Sequence, residues 1–283
     1  MSKQIHWFPG HMSKALREIE NKIKIVDVII ELLDARAPIS SINENLEGLI
    51  QNKKKLIILT KIDLADPFQT KLWHEKLSTR YEKVLSLDLT KPSAEKEIAQ
   101  AVYELGEDKR EKDKKRGMKP QPVRAMIIGI PNVGKSSLIN RLAKRAAAGV
   151  QNKPGYTRGE QWIKVNKDFE LLDTPGVLPM SYDNKEKAAK LALLGAIRED
   201  ILPKSDLCFF LLNLLKDKYP SALKERYDIE ENNGYVAVMP LIAKRRGLMK
   251  AGQLDTDKAE ELLLYEFKNG KLGRITLEWL LWR

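Results

Sequence analysis

The stretch VRAMIIGIPNVGKSS, residues 123–137, decides the fold of this chain. Its first part, Val123–Ile130, is an apolar run typical of a buried strand, and helical spacing follows from about Lys135 to Ala147. Between them, residues 129–136 fit the pattern G-x-x-x-x-G-K-[ST], which binds phosphate when a strand precedes it and a helix follows. Both conditions are met, so the sequence predicts a nucleotide site on an α/β sheet.

This phosphate loop contains the residue types that a nucleoside triphosphate requires. Its main-chain N–H groups and the helix N-terminus can surround the α- and β-phosphates. Lys135 can extend to the β and γ oxygens, where its charge makes it a predicted catalytic residue, and the Ser136 hydroxyl can bind Mg²⁺. The predicted phosphate-binding residues are Asn132, Val133, Gly134, Lys135, Ser136 and Ser137.

Two further segments are expected to complete the site around Mg²⁺ and the γ-phosphate. Asp173-Thr-Pro-Gly176 follows a second apolar strand, and an aspartate at such a strand end holds the Mg²⁺ shell, here through a water. The N–H group of Gly176 is then placed to meet the γ-phosphate. Thr157 lies in the Gly-flanked segment Pro154–Gly159, and we expect it to close over the nucleotide as a Mg²⁺ ligand and catalytic residue.

The base is predicted from Thr60-Lys61-Ile62-Asp63, at the end of an apolar run. A carboxylate in the base plane accepts from both N1–H and the 2-amino group of guanine, whereas adenine presents an acceptor there. Such a mismatch lets a site discriminate between two ligands by a factor of about 10⁴–10⁵. Asp63 therefore favours GTP and GDP over ATP. Lys61 is expected to lay its stem along the base, and the stretch Ser86–Asp88 to supply backbone contacts to the guanine oxygen. Thr60, Lys61, Asp63 and Ser86 are therefore the predicted base-side residues.

Apolar runs alternate with segments of helical spacing through the first ninety residues. The runs are Val26–Leu33, Lys55–Thr60 and Lys83–Leu87, and Ser13–Lys24 is one of the helical segments. This alternation predicts an α/β fold with a doubly wound, mostly parallel sheet. Ligands bind at the carboxyl ends of the strands in such sheets, so the polar triplet Asp34-Ala-Arg36 is a candidate site segment.

The motifs occur in a permuted order. In ordinary small GTPases the base-reading motif follows the phosphate loop, whereas here Asp63 precedes Gly129 by more than sixty residues. Circular permutation preserves a sheet when a linker joins the old termini, and the charged stretch 106–122 has the composition of that linker. A GTPase domain over residues 1–183 and a small all-α domain over residues 184–283 are predicted. The expected C-terminal helices are Lys185–Arg198, Ser205–Lys216, Ser221–Tyr227 and Thr256–Lys268.

With this motif order, the sequence resembles the circularly permuted GTPases and, in particular, the ribosome biogenesis GTPase A family. The resemblance implies a P-loop GTPase fold, hydrolysis of GTP and a late step in maturation of the large (50S) ribosomal subunit. It also implies that the C-terminal domain is similar to RNA-binding ANTAR domains. Besides the nucleotide motifs, it rests on Trp7-Phe-Pro-Gly-His-Met12, Asp34-Ala-Arg-Ala-Pro38, Gly195-Ala-Ile-Arg-Glu199 and Gly270-Lys-Leu-Gly-Arg274.

Two loop positions carry additional expectations from the resemblance. The family's base motif usually begins with Asn, so Thr60 is expected to weaken one hydrogen bond that supports the loop, while Asp63 keeps the guanine preference. Permuted relatives with an asparagine like Asn132 often use K⁺ to neutralise phosphate charge, which implies a K⁺ site there. The alternative is that Asn132 only caps the loop.

The residue that activates water is not found at its usual place. Val177 follows the DTPG motif where many GTPases carry a water-orienting Gln. The resemblance points instead to His11, expected on a flexible loop after Gly10, where an imidazole can orient water or transfer a proton. The alternative is that His11 packs at the sheet edge. His6 is a competing candidate, and His74 is expected only at the surface.

The charge, the cysteine count and the apolar runs of the chain indicate its partners and its cellular compartment. The chain has 283 residues, 43% of them hydrophobic, and a formal net charge of +11, which suits a polyanionic partner. Cys208 is the single cysteine, which favours a reducing compartment. No apolar run approaches the 18–20 residues of a membrane span. We therefore expect a cytoplasmic monomer with no membrane partner.

The expected partners are the large ribosomal subunit and its rRNA. In the leading hypothesis the GTP cycle gates binding to the assembling subunit. The alternative is a GTP-dependent RNA-binding module with incidental hydrolysis. Basic and aromatic residues of the C-terminal region could pair with phosphates and stack on bases, or could form an ordinary solvated face. The candidates are Lys244-Arg-Arg246, Lys271, Arg274, Trp279 and Trp282.

Overall fold

The computed structural model describes residues 5–6, 10–148, 162–172, 181–182, 184–198, 201–230 and 234–281, with the backbone alone for 5–6, 10–15, 144–148 and 181–182. The strands are β1 (Ile5–His6), β2 (Val28–Asp34), β3 (Lys54–Thr60), β4 (Lys83–Ser86), β5 (Val123–Gly129), β6 (Trp162–Lys164), β7 (Phe169–Leu172), β8 (Ser181–Tyr182), β9 (Met249–Lys250) and β10 (Gln253–Leu254). The helices are α1 (Gly10–Ile23), α2 (Glu44–Ile50), α3 (Pro67–Ser78), α4 (Ser93–Leu105), α5 (Glu107–Lys115), α6 (Lys135–Ala148), α7 (Lys185–Leu193), α8 (Lys204–Lys218), α9 (Ser221–Tyr227), α10 (Tyr235–Arg246) and α11 (Thr256–Lys268).

Six strands form one sheet in the order β4-β3-β2-β5-β7-β6. The first five run parallel, and β6 is antiparallel to β7 at one edge. All seven residues of β2 are buried, as expected for a central parallel strand covered on both faces. The doubly wound, mostly parallel sheet predicted from the apolar runs is therefore confirmed.

Both faces of the sheet are covered by helices because successive strand residues point to opposite sides. On one face, Ile30 and Ile127 belong to the largest apolar cluster, which includes residues of α4 and α6. On the other face, Ile29 and Met126 pack with residues of α1 and α2. The carboxyl ends of β2, β3 and β5 consequently lie side by side between the two helical layers.

The charged stretch 106–122 is more ordered than a plain connector. Residues Glu107–Lys115 form α5, directly after α4. Lys109 Nζ contacts both Asp27 Oδ2 and Pro122 O at 2.7 Å, and the buried Asp113 accepts a hydrogen bond from Gln121 N. These contacts hold the stretch against the start of β2 and bring the chain back to β5.

The C-terminal region is helical, as predicted, from α7 to α11. Helix α7 ends at Leu193, earlier than the predicted Arg198, because Gly195 (φ 71°) closes it. Its N–H donates to Ala192 O, and Ala196 N–H donates to Leu191 O, which is the pairing of a Schellman motif. A short hairpin of β9 and β10 also lies between α10 and α11.

The sheet and the C-terminal helices share one apolar cluster. It includes Leu32 and Ile58 from the sheet together with Leu211 of α8 and Phe267 of α11. Separately, β1 pairs with β8, so that Ile5 lies opposite Tyr182. Within the described ranges, no helix is long and apolar enough to cross a membrane.

Candidate nucleotide-binding site

The phosphate loop connects β5 to α6, and its path depends on residues with positive φ. Gly129, Asn132 and Gly134 have φ values of 152°, 59° and 107°. A Cβ atom on Gly129 would lie 2.8 Å from the backbone oxygen of Leu32 on the neighbouring strand β2. Only glycine therefore lets the loop leave its strand so close to the adjacent one.

Lys135 lies inside this loop. Its side chain is 7% exposed, and its Nζ atom lies 2.9 Å from Gly129 O and 3.0 Å from Ile130 O. Burial of a cation is unfavourable unless polar groups or an anion compensate for it. The carbonyl dipoles provide such compensation here, and they hold the ammonium inside the loop that the sequence motif assigns to phosphate.

The hydroxyl groups that follow Lys135 face the solvent. Ser136 and Ser137 are both exposed in the first turn of α6. A helix N-terminus carries unpaired N–H donors and a positive partial charge. Phosphate oxygens could thus meet both the N–H groups and the Ser136 hydroxyl that we predicted as a Mg²⁺ ligand.

The base-reading motif contacts the phosphate loop directly. Thr60 ends β3 and is completely buried. Its Oγ1 atom lies 2.9 Å from Val133 O and 3.2 Å from Leu33 O. The structure therefore joins the base side and the phosphate side of the predicted site through one side chain.

The turn after Thr60 exposes the residue predicted to read guanine. Asp63 is exposed, as a group that meets a ligand must be. Lys61 has a φ of 53°, a left-handed conformation that is uncommon for a residue with a side chain. Its Nζ atom lies 3.0 Å from Asp34 Oδ2, which holds Lys61 from below the turn.

Asp34 and Arg36 form a buried pair beneath this turn. Arg36 donates from Nε to Asp34 Oδ1 at 2.9 Å and from Nη2 to Asp34 Oδ2 at 2.8 Å. Burial disfavours the charged carboxylate, but Arg36 and Lys61 outweigh burial and lower the pKa of Asp34 to about 2. The strand-end position of this triplet marked it as a site segment, but the sequence did not indicate its pairing with Lys61.

Ser86 lies at the end of β4, beside the base-reading turn in the sheet order. Its Oγ atom is 2.9 Å from Nδ1 of His74 on α3. His74 is half-buried, which corrects the expectation of a purely surface role. The polar composition of α3 concealed this contact, which forms only when α3 packs against β4.

Asn132 links the phosphate loop to the C-terminal region. Its Nδ2 atom donates to Gly195 O at 2.6 Å. Gly195 opens the Gly-Ala-Ile-Arg-Glu motif on which the family resemblance partly rests. The side-chain oxygen of Asn132 takes no part in this bond, and the K⁺ site expected there stays a prediction.

Several predicted site residues lie outside the described residues: Thr157, Asp173 and Gly176, together with Val177. The backbone of His11 is described and belongs to the first turn of α1, not to a flexible loop. The helix begins at Gly10, three residues before the predicted Ser13. The side chain of His11 is not among those described.

The described motifs meet at one edge of the sheet. The base-reading turn follows β3, the phosphate loop follows β5, and β2 lies between these two strands. In chain order the base motif comes first. This arrangement defines a circularly permuted P-loop GTPase.

Comparison with known proteins narrows this class. The family described as 50S ribosome-binding GTPase matches residues 124–241. Ribosome biogenesis GTPase A of Bacillus cereus is 43% identical over 276 residues, which span 97% of this chain and 93% of that protein. The protein of the same name from Thermotoga maritima is 30% identical over 273 residues, 96% of this chain and 93% of that protein. The chain belongs to the ribosome biogenesis GTPase A family, and it is a GTPase of ribosome biogenesis.

Solved structures agree with this assignment. The crystal structure of GNP-bound YlqF from T. maritima has a TM-score of 0.65 at 26% identity, over 94% of this chain and 97% of that chain. The GDP-bound YlqF structure has a TM-score of 0.66 at 25% identity, over 93% of this chain and 98% of that chain. The neighbours thus share the permuted fold over almost their whole length.

Proposed function

We propose that this protein is a cytoplasmic, GTP-hydrolysing assembly factor that binds the maturing large (50S) ribosomal subunit and promotes a late step of its biogenesis. The observation that carries the proposal is the bond between Asn132 in the phosphate loop and Gly195 in the C-terminal region. A change in the loop on nucleotide binding or hydrolysis acts directly on the region proposed to contact RNA. The description of the matching family, 50S ribosome-binding GTPase, supports this choice of partner.

The nucleotide is proposed to lie across the carboxyl ends of β3 and β5. The main-chain N–H groups of residues 132–137 and the Lys135 ammonium bind the phosphates, and Asp63 reads guanine. Mg²⁺, held by Ser136, Thr157 and a water on Asp173, neutralises phosphate charge when it is bound. The buried Lys135 and the exposed Ser136 support this assignment on the phosphate side.

Hydrolysis requires a group that orients the attacking water. The side chain of Val177 has no polar atom with which to do this. We assign the role to His11, which accepts a hydrogen bond from water through a neutral ring nitrogen. Lys135 stabilises charge on the phosphate oxygens as the bond to the leaving group breaks.

The RNA-binding face is proposed to centre on the end of α10. Lys244 is exposed there, whereas Arg245 pairs with Asp228 at 2.8 Å. Two other residues predicted to contact RNA have partners inside the protein. Trp279 packs edge-on against Tyr219, with 5.5 Å between the ring centres. Arg274 donates a hydrogen bond to Ala65 O. The indole and guanidinium groups are thus engaged before any RNA binds.

Hydrolysis of GTP with and without purified large subunits tests the proposed function. We expect subunits to raise turnover, with immature particles at least as effective as mature ones, and Lys135→Ala to abolish the rise. GTP-dependent binding without faster turnover would support the RNA-binding module instead. Absence of binding to either particle would overturn both.

A further inference from the structure

The turn that carries Asp63 has its backbone held by residues 274–276 of the C-terminal region. Arg274 donates from Nη2 to Ile62 O at 2.6 Å and from Nε to Ala65 O at 2.9 Å. Ile275 N–H donates to Leu64 O at 3.0 Å. These donors are more than two hundred residues from the turn along the chain.

The amide that follows the turn is held in the same way. Asp66 N–H donates to Thr276 Oγ1 at 3.1 Å, and Thr276 is completely buried. Carbonyl oxygens on both sides of Asp63 and the amide that begins the next helix are therefore fixed from outside the turn. An exposed turn containing a left-handed Lys61 would otherwise sample other conformations.

Two glycines with left-handed backbone conformations lie just before these donors. Gly270 has a φ of 68°, and a Cβ atom on it would lie 2.7 Å from Leu64 Cδ2. Gly273, immediately before Arg274, has a φ of 95°. A side chain at either position would strain the backbone, and one at Gly270 would also displace the Leu64 side chain.

The lower side of the turn is tied to the same region. Arg36 Nη1 donates to Lys268 O at 3.4 Å, and its guanidinium lies 5.6 Å from the centre of the Phe267 ring. The same Arg36 pairs with Asp34, which binds Lys61. The base-reading turn is thus fixed from two directions by residues 267–276.

From these contacts we propose that Arg274 is a positioning residue for guanine recognition. By fixing the carbonyl groups on either side of Asp63, it sets the position of the carboxylate that reads the base. The inference rests on the proposed role of Asp63. It assigns Arg274 to nucleotide specificity in place of the RNA contact expected from its charge.

Comparing GTP with inosine triphosphate (ITP) tests whether Arg274 positions the Asp63 carboxylate. The base of ITP retains the N1–H and the C6 oxygen of guanine but lacks the 2-amino group. A correctly placed Asp63 carboxylate accepts two hydrogen bonds from guanine and one from hypoxanthine, so the wild type binds GTP more tightly than ITP. A displaced carboxylate loses part of the two-point contact, and the preference shrinks.

The experiment measures dissociation constants for GTP, ITP and ATP by calorimetry, without ribosomes, on wild type, Arg274→Ala, Arg274→Lys and Lys258→Ala. We expect Arg274→Ala to weaken GTP binding about tenfold, as for loss of a charge-assisted hydrogen bond. ITP binding is expected to weaken less. Arg274→Lys, which can reach one carbonyl group but not two, is expected to be intermediate. Lys258 is an exposed cation at the start of α11, and its removal is expected to leave all three constants unchanged.

The outcomes separate this inference from the proposed site. An unchanged ratio of GTP to ITP affinity in Arg274→Ala overturns the inference, whether the two constants stay the same or rise together. An equal loss in Lys258→Ala overturns it as well. A wild type that does not prefer GTP over ITP and ATP refutes the guanine site itself. Thermal unfolding of each variant shows that it is folded at the temperature of measurement.

Discussion

Thr60 Oγ1 lies 2.9 Å from Val133 O, so the first residue of the base-reading motif is bonded to the backbone of the phosphate loop. We expected threonine, in place of the asparagine usual in the family, to weaken support for the loop. The hydroxyl nevertheless reaches the loop carbonyl at an ordinary hydrogen-bond length. The two halves of the nucleotide site therefore share a buried contact before any ligand binds.

Replacing Thr60 with Val should show how much this hydrogen bond contributes to stability and to nucleotide binding. Valine has nearly the same shape but leaves the buried Val133 O without its donor, which costs about 1–3 kcal/mol. We expect a lower free energy of unfolding in urea and weaker GDP binding. Thr60→Ser, which keeps the hydroxyl, is the matched control. Equal behaviour of the Val and Ser variants would show that the hydroxyl does not support the loop.

Asp63→Asn should weaken GTP binding by about a hundredfold or more. The amide presents a donor where guanine also donates, and two facing donors leave each other without an acceptor. Xanthosine triphosphate carries an oxygen in place of the 2-amino group, so the variant should bind it better than the wild type does. Competition calorimetry with GTP, ATP and XTP measures both changes. Similar GTP affinity in the variant and the wild type would remove Asp63 from base recognition.

Asn132 should make hydrolysis sensitive to the monovalent cation. Its amide nitrogen is bonded to Gly195 O, and its oxygen can bind K⁺ beside the phosphates. We expect faster hydrolysis in KCl than in NaCl at equal ionic strength, and loss of this difference in Asn132→Ala. If the two salts give matched rates in the wild type, Asn132 only caps the loop.

Glu31 should make stability depend on pH. Burial raises the pKa of this β2 carboxyl to about 7, with Lys55 and Arg80 opposing the shift and Glu47 adding to it. The folded state thus binds a proton that the unfolded state releases near pH 4.5. Stability is therefore full below about pH 4.5 and decreases as the pH rises through 7, by about 3 kcal/mol in total.

Urea unfolding at pH 5 and pH 8 measures this contribution. Glu31→Gln carries no proton to lose, so its stability relative to the wild type should be higher at pH 8 than at pH 5. Glu75→Gln, at an exposed position of α3, is the control and should show no such change. A constant difference between Glu31→Gln and the wild type would mean that Glu31 does not titrate in this range.

His11→Ala should separate catalysis from binding. If His11 orients water, the variant keeps its GTP affinity and its subunit binding but loses ribosome-stimulated turnover by about 10²–10⁴. Single-turnover kinetics on saturating large subunits measures this loss. A structural role would instead lower thermal stability and subunit binding together while turnover per bound complex is preserved.

The sheet and the phosphate loop could be predicted because their signals are local. Val123–Ile130 is a continuous apolar run, and the glycines and Lys135 follow it at a fixed spacing. Strand bounds differ from the predicted ones by only a residue or two, as for Val26–Leu33, which is observed as Val28–Asp34. Buried parallel strands leave little freedom in such a pattern.

The contacts between distant segments could not be predicted. Arg274 and Trp279 carry charge and an aromatic face, which indicate RNA binding when they are considered alone. Their partners, Ala65 and Tyr219, are far away in sequence, and no periodicity connects them. Similarly, Asp34 and Arg36 marked a strand end, but their pairing with Lys61 and Lys268 depends on tertiary packing.

The bond from Arg36 to Lys268 spans 232 residues, which has a consequence for synthesis of the protein. At roughly 5–20 residues per second, a translating ribosome needs about 10–50 s to add that length. Once Leu172 has been added, a nascent chain has all the strands of the six-stranded sheet but still lacks the segment that secures its base-reading turn. A product terminated before Lys268 is therefore expected to bind GTP less tightly than the full chain.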